Sequence, residues 1–231
     1  MTVAARKIRL VMELRRAGIR DTHVLSAIER IPREAFVPEA FQDHAYENRA
    51  LPIDFGQTLS QPGVVAAMTQ ALKPDRRIKV LEVGTGSGYQ AAILSRLFRR
   101  LYTIERFREL QREAEARFHR LRLHNITTQV GDGGKGWPEQ APFSRIIVTA
   151  AAPDIPGTLV DQLAAGGIMV VPVGPMGREQ ALLRLRRDEA GRLHEERLGS
   201  VRFVPLVAGQ PSAAEAPAAT GTAGPRLATL A

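Results

Sequence analysis

The sequence predicts an α/β fold built on a doubly wound, mostly parallel sheet. Three observations carry that prediction. Apolar runs alternate regularly with helix-period segments between positions 63 and 173. The first such run, Val80-Leu81-Glu82-Val83, passes through Gly84, Gly86 and Gly88 directly into the helix-forming Tyr89-Gln90-Ala91-Ala92. The next two strand candidates end in Glu105 and in the turn Gly131-Asp132-Gly133-Gly134. A strand that turns into a helix through glycines brings bare backbone close to a ligand at the mouth of a parallel sheet.

The chain opens on two predicted helices within residues 3–30. Ile8, Val11, Met12 and Leu14 recur at helical spacing, Gly18 interrupts the run, and Asp21 or Thr22 stands where a second helix needs its cap. Residues 33–62 show little periodicity and contain Pro38, Pro52 and Pro62. Phe36, Phe41, Tyr46, Leu51, Ile53 and Phe55 make that segment too apolar for disorder, and it reads as an ordered lid or substrate loop. A helix over 64–72 precedes a strand at 79–83, a helix over 90–98 precedes one at 100–105, and a helix over 107–123 precedes one at 126–130. A strand at 145–150, a helix at 156–163 and a strand at 168–173 follow. Segments 180–187 and 197–207 read as strands around a turn at 188–191, so the sheet is expected to finish antiparallel. The Ala-, Pro-, Gly- and Thr-rich stretch 208–231 reads as a flexible tail. The expected organisation is an N-terminal helical and loop cap over 1–62, a ligand-binding catalytic domain over 63–207, and the tail.

A length of 231 residues suits one large α/β domain. No apolar run approaches a membrane span, and charges through positions 1–20 argue against a secretory signal, so no membrane association and a cytoplasmic location are expected. The chain has no cysteine, which excludes disulfides and thiolate metal sites. A net charge of +8 raises the question of nucleic acid. The basic residues are nearly all Arg, they alternate with acids as in 106–122, and no aromatics interleave with them. No nucleic-acid partner is therefore expected. The histidines at 23, 44, 119, 124 and 194 match no metal-ligand spacing, and Trp137 reads as core.

The spacing of the glycines decides the ligand class. They form G-x-G-x-G, whereas a dinucleotide fingerprint needs its third glycine one position later, where Tyr89 stands. Acid-x-Gly-x-Gly-x-Gly after a first strand resembles the cofactor loop of the S-adenosylmethionine-dependent methyltransferases. Glu105, about twenty residues beyond the glycines, sits where a carboxylate accepts ribose hydroxyls. Asp132 ends the third strand candidate, where it can accept an exocyclic amine of adenine.

Further motifs narrow the resemblance. Tyr46-Glu47-Asn48-Arg49-Ala50-Leu51-Pro52-Ile53, then Gly56-Gln57-Thr58-Leu59-Ser60-Gln61-Pro62, resemble the protein-L-isoaspartate O-methyltransferase family. So do Gly136-Trp137, the run Ile146-Ile147-Val148-Thr149-Ala150-Ala151-Ala152-Pro153, and Val201-Arg202-Phe203-Val204-Pro205-Leu206. The likeness covers about residues 5–207. It implies a Rossmann-like methyltransferase fold, S-adenosyl-L-methionine as cofactor, and methylation of the α-carboxylate of isoaspartyl residues in damaged proteins and peptides. The methyl ester then closes to a succinimide that reopens in part to normal aspartate. By resemblance Ser60 is the active-site residue. Glu82, Gly84, Thr85, Gly86, Gly88, Glu105, Asp132 and Gly133 serve the cofactor, and Gln57 and Thr58 line the boundary between cofactor and substrate. No metal is implied, and a monomer is expected. The chain departs from the family pattern at Asp54-Phe55, where a small residue and a His are usual, and at Val207, where some relatives carry Thr.

The chemistry agrees with those residues. A carboxylate of ordinary pKa is about 99.9% ionised at pH 7, so the nucleophile needs no general base, and the candidate site contains neither His nor Lys. Alignment of carboxylate oxygen, methyl carbon and sulfur can contribute roughly 7–11 kcal/mol. The bland alternative for Ser60 is an ST-turn or cap before the helix at 64. The rival functions are a same-fold methyltransferase acting on a small molecule or nucleic acid, and a non-catalytic S-adenosylmethionine-binding protein. Thr149-Ala150-Ala151-Ala152-Pro153 offers no stacking aromatic to read a base, and the intact acids at 82, 105 and 132 argue against lost turnover.

Overall fold

The computed structural model describes residues 2–209 and 211 of the chain. Of the flexible tail expected over 208–231, residues 210 and 212–231 lie outside the described residues.

Helix α1 (Val3–Arg16) is capped by Thr2, whose side chain accepts from the Ala5 N–H, and buries Leu10 and Leu14. Asp21 caps α2 (Thr22–Arg30), accepting from the His23 and Val24 N–H groups, which decides between the two cap candidates. Two 3₁₀ turns, Arg33–Phe36 and Glu39–His44, begin the aperiodic segment. The segment continues into a small antiparallel pair, β1 (Leu51–Pro52) with β2 (Thr58–Leu59). Helix α3 (Pro62–Ala71) starts with proline in its first turn, where the missing N–H costs nothing.

The main sheet then builds outward. Strands β3 (Lys79–Val83), β4 (Arg100–Glu105), β5 (Ile126–Val130), β6 (Phe143–Val148) and β7 (Leu163–Val173) run parallel. Strands β8 (Gln180–Arg187) and β9 (Leu193–Val201) extend it antiparallel. The order is β5-β4-β3-β6-β7-β8-β9, so the sheet reverses direction of growth at β3. Helices α4 (Tyr89–Ser95), α5 (Arg108–Arg120) and α6 (Gly157–Asp161) make the crossovers. Ligands of such sheets bind outside the strand C-termini at that reversal, between β3 and its neighbours.

Strand alternation divides the core between the two faces. Val80, Ile147, Ile168 and Val170 join one apolar cluster with the N-terminal helices, α4 and α5. Leu81, Val83, Ile146, Val148, Met169 and Val171 join the other with α6. Trp137 packs edge-on against Tyr102 at 5.4 Å on the second face, as expected of a core residue.

Several expected boundaries move, among them the start of β7 and both ends of β9, which begins at Leu193 rather than 197. Strand β7 begins at Leu163 rather than 168, taking up the last residue of the helix expected at 156–163 and the four residues after it. Gly166, at φ +69°, and a register shift between Phe143 and Arg145 let it pair early with β6. Strand β9 ends at Val201, so residues 202–207 do not continue it. Their backbone goes instead to Ala151: its N–H donates to the Val204 carbonyl, and its carbonyl accepts from the Leu206 N–H, both at 2.8 Å. That exchange draws the chain end across the strand C-termini.

Gly88 sets the start of α4. Its φ is +89°, and a Cβ there would lie 2.7 Å from Phe118 Cε1 and 3.1 Å from Ala114 Cβ on α5. Gly88→Ala is therefore expected to lower stability by about 2–4 kcal/mol, combining a left-handed backbone with overpacking. Urea unfolding measures it, and an unchanged midpoint would mean that α4 and α5 separate freely.

Candidate active site

The cofactor-loop residues line one cavity at the C-terminal edge of the sheet, where β3 meets β4 and β6. Gly84, Thr85, Gly86 and Ser87 form its floor, Glu105 and Gly133 one side, and Gln57, Thr58, Leu59 and Ser60 the other. Thr149, Ala150 and the crossing segment Val204, Pro205, Leu206 and Val207 complete the wall.

The floor is held by backbone and by Glu105. Gly84 N–H donates to the Ile104 carbonyl at 2.9 Å, carrying the β3–β4 ladder one step past the strand. Gly86 N–H then donates to Glu105 Oε2 at 2.7 Å, and Phe107 N–H to Oε1 at 3.1 Å. Burial raises the Glu105 pKa, while these amides oppose the rise. Thr149 Oγ1 lies 2.9 Å from the Val83 carbonyl and 2.6 Å from that of Gly84, tying β6 to the loop. Only glycine leaves room for it at 84, since a Cβ would lie 2.3 Å from the Thr149 hydroxyl.

Three residues assigned to the cofactor by resemblance do not line this cavity. Gly88 packs on α5, as described. Glu82 lies wholly buried beneath the loop, where Thr103 Oγ1 donates to its Oε2 at 2.6 Å. Thr103 is in turn 2.6 Å from Thr85 Oγ1, so a hydroxyl chain links Glu82 to the cavity floor. Burial pushes the Glu82 pKa up to about 8. Asp132 Oδ1 accepts from the Gly134 N–H at 2.9 Å and Oδ2 from the Gly209 N–H at 2.8 Å. It lines an adjoining cavity that shares Ile104 with the first.

Ser60 caps nothing: its hydroxyl has no hydrogen-bond partner among the described residues, and α3 begins at Pro62 with Gln61 at the N-cap position and no side-chain cap. It lines both the main cavity and a second one, formed with Thr58, Gln61, Val64, Arg202 and Phe203. The β1–β2 turn beside it contains Phe55 at φ +59°, whose ring lies 4.9 Å from that of Phe107. The departure at position 55 thus packs the substrate-side turn onto the end of β4.

The sequence reading did not find Thr149, Tyr89 or the segment 204–207 as site residues. The Val-Pro-Leu element was visible, but only its pairing with Ala151 shows that it crosses the cavity. None of the five histidines reaches the site, and among the described residues no group of three or more His, Cys, Asp and Glu gathers as for a metal. No helix among them is long and apolar enough to cross a membrane.

Comparison with known proteins agrees with this geometry. A family model described as protein-L-isoaspartate(D-aspartate) O-methyltransferase matches residues 5–211. The protein-L-isoaspartate O-methyltransferase of Rhodospirillum centenum is 63% identical over 208 residues, 90% of this chain and 94% of that protein. That of Rhodospirillum rubrum is 62% identical over 212 residues, 91% of this chain and 97% of that protein. A solved protein-L-isoaspartate O-methyltransferase superposes with a TM-score of 0.78 at 29% identity, covering 86% of this chain and 65% of that one. A Plasmodium falciparum structure bearing the same family name, in complex with S-adenosyl-L-homocysteine, gives 0.74 at 23% identity over 86% and 97% and speaks for the fold. With that match across nearly all described residues, the chain belongs to the protein-L-isoaspartate (D-aspartate) O-methyltransferase family.

Proposed function

We propose that the protein transfers a methyl group from S-adenosyl-L-methionine to the α-carboxylate of L-isoaspartyl residues in damaged proteins and peptides, which begins their repair. The observation that carries this reading is the position of Ser60. Its hydroxyl, unpaired among the described residues, stands at the junction of a cavity floored by the glycine loop and a second cavity lined by Thr58, Gln61, Arg202 and Phe203. Family membership and relatives of that name at 62–63% identity support it.

The cavity fits the cofactor by its donor set. Glu105 presents a carboxylate to the cavity, an acceptor that suits ribose hydroxyls. Thr85 and Gly86 would face the methionine portion, Gly133 the nucleoside, and Asp132 the adenine edge across Ile104. Bound there, S-adenosylmethionine supplies an electrophilic methyl on a sulfonium. Gln57 and Thr58 separate the two compartments. Ser60 donates to the carboxylate oxygen that does not attack and orients the group through a neutral hydroxyl, which binds the ground state less tightly than an ion pair would. Leu59, Val204, Pro205 and Leu206 exclude water that would blunt the nucleophile. We read the protein as a monomer working in the cytoplasm without a nucleic-acid partner, since its surface bases are interspersed with acids such as the Glu113–Arg117 pair on α5.

Incubation with labelled S-adenosylmethionine and paired Asp and isoAsp peptides tests the reading. Base-labile methyl ester is expected on the isoAsp peptide alone; transfer to RNA or DNA, or cofactor binding without transfer, would overturn it. Ser60→Ala removes one hydrogen bond to a charged group, about 1.5–3 kcal/mol, so kcat/KM should fall about 10- to 150-fold with an unchanged melting temperature. Equal rates would return Ser60 to a structural part.

Glu82 makes a pH prediction. Its folded pKa of about 8 stands above its unfolded value near 4.5, so folding takes up a proton between those values. The resulting stability is fully present below pH 4.5 and is lost as pH rises through 8. Glu82→Gln keeps the shape without the titration. Cofactor-free E82Q protein is expected to gain on wild type in melting temperature as pH goes from 5 to 9. Parallel curves would mean that Glu82 ionises in place without cost.

A further inference from the structure

Behind the Ser60 wall lies a buried cation that the proposed reaction leaves without a part. Arg33, in the first 3₁₀ turn, is 0% exposed. Its Nη2 donates to the Ser60 carbonyl at 2.8 Å, and its guanidinium lies 4.6 Å from the centroid of the Tyr89 ring. Phe36 packs edge-on against that ring at 5.5 Å, holding Tyr89 in place for the stack. Arg33 Nε and Nη1 have no hydrogen-bond partner among the described residues. The neighbouring Glu34 carboxylate is taken by the Tyr46 hydroxyl, and no carboxylate among the described residues pairs with Arg33.

An unpaired interior charge is costly, and a serviceable structural residue here would be apolar. Its two contacts are both site residues: Tyr89 lines the main cavity, and Ser60 lines both cavities. The bond to the Ser60 carbonyl also has a direction. A trans peptide is planar with its N–H opposed to its C=O, so a guanidinium pulling on the Ser60 carbonyl aims the Gln61 N–H the other way. Gln61 lines the second cavity beside Thr58 and Ser60. A cation at the carbonyl end polarises the peptide so that its N–H end becomes a stronger donor for an anion.

We propose that Arg33 is a positioning residue for the substrate carboxylate. It fixes the Ser60–Gln61 peptide so that the Ser60 hydroxyl and the Gln61 N–H face the cavity, and its charge gives that pair a positive field without touching the substrate. This rests on the isoaspartyl reading above. It adds to the anionic preference of a cavity that Arg202 also lines: the Arg33 charge is held one peptide away, screened from direct pairing that would stabilise the ground state alone.

The test uses the full chain with three substitutions, Arg33→Lys, which keeps the charge, and Arg33→Met and Arg33→Gln, which remove it. An isoAsp peptide serves as substrate, and the same peptide with its α-carboxylate converted to a carboxamide serves as competitive inhibitor. The readout is selectivity, the ratio of carboxylate-peptide to carboxamide-peptide affinity, beside S-adenosylhomocysteine affinity as a control. R33M and R33Q are expected to lose about tenfold or more in selectivity, carried by KM for the isoAsp peptide, with control affinity within about twofold. R33K is expected to stay within about threefold of wild type in selectivity. Where the neutral variants do not fold, R33K against wild type decides by the same ratio. Loss of carboxamide and S-adenosylhomocysteine affinity in step with the carboxylate, or R33K selectivity as low as that of a neutral variant, would overturn the proposal and leave Arg33 a packing residue. A wild type that ignores the isoAsp peptide would instead bring down the functional reading, a separate outcome.

Discussion

The geometry of the cavity depends on one hydrogen bond, from the Gly86 N–H to the Glu105 carboxylate at 2.7 Å. The β3–β4 register pairs Val83 with Ile104, so the residue after Ile104 falls opposite the glycine loop. Gly84 extends the ladder once more and then turns away. A side-chain oxygen takes over as acceptor where the strand's own carbonyls can no longer reach. The loop is therefore held by the sheet rather than by its own turn propensity, and its far end is pinned where Gly88 meets Phe118. Both anchors belong to the β4–α5 unit, so the cofactor floor moves only if that unit moves.

The facing wall is assembled differently. Gln57 to Ser60, Thr149 with Ala150, and 204–207 come from three distant parts of the chain. Each is fixed by backbone bonds across segments: Ile53 N–H to Gln57 carbonyl, Thr149 N–H to Val83 carbonyl, and Ala151 with both Val204 and Leu206. Such a wall contributes shape and dryness more than charged contacts. That suits a reaction whose nucleophile arrives already ionised, since exclusion of water and alignment are then what the protein must supply.

This division explains what could be read in the sequence. The glycine loop, Glu105 and Asp132 were legible because each is a strand end followed at once by turn chemistry, a pattern confined to a few neighbours. The fold class followed from the same alternation. The end of the sheet was not legible: Val201-Arg202-Phe203-Val204 has the composition of a strand, but the distant Ala151 and the Gln180 side chain take its backbone groups. Residues 156–163 read as one helix, and the strand was expected only from 168, because Ala164, Gly166 and Gly167 give no strand signal. The early pairing of Leu163 with Phe143 was decided by tertiary contact. Ser60 was singled out by motif, whereas propensity alone favoured a cap that Pro62 makes unnecessary. Arg33 carried no signal, because one arginine in an aperiodic loop looks like any other until its burial is known.

Charge is distributed asymmetrically across the cleft. Glu105, whose carboxylate accepts from the Gly86 and Phe107 amides, lies on the side of the glycine loop, and Arg33 lies behind the Ser60 side. Glu82, with a pKa pushed up to about 8, is protonated below that pH and adds no charge there. In a poorly screened interior this arrangement favours positive charge over the loop and negative charge beside Ser60. A sulfonium and a carboxylate brought together in that orientation match the field separately, each on its own side. As the methyl passes and both charges vanish, the field has less to hold, and neutral products are bound more weakly than the reactants. The same asymmetry would disfavour a neutral alcohol or amine nucleophile, which gains nothing from the positive side.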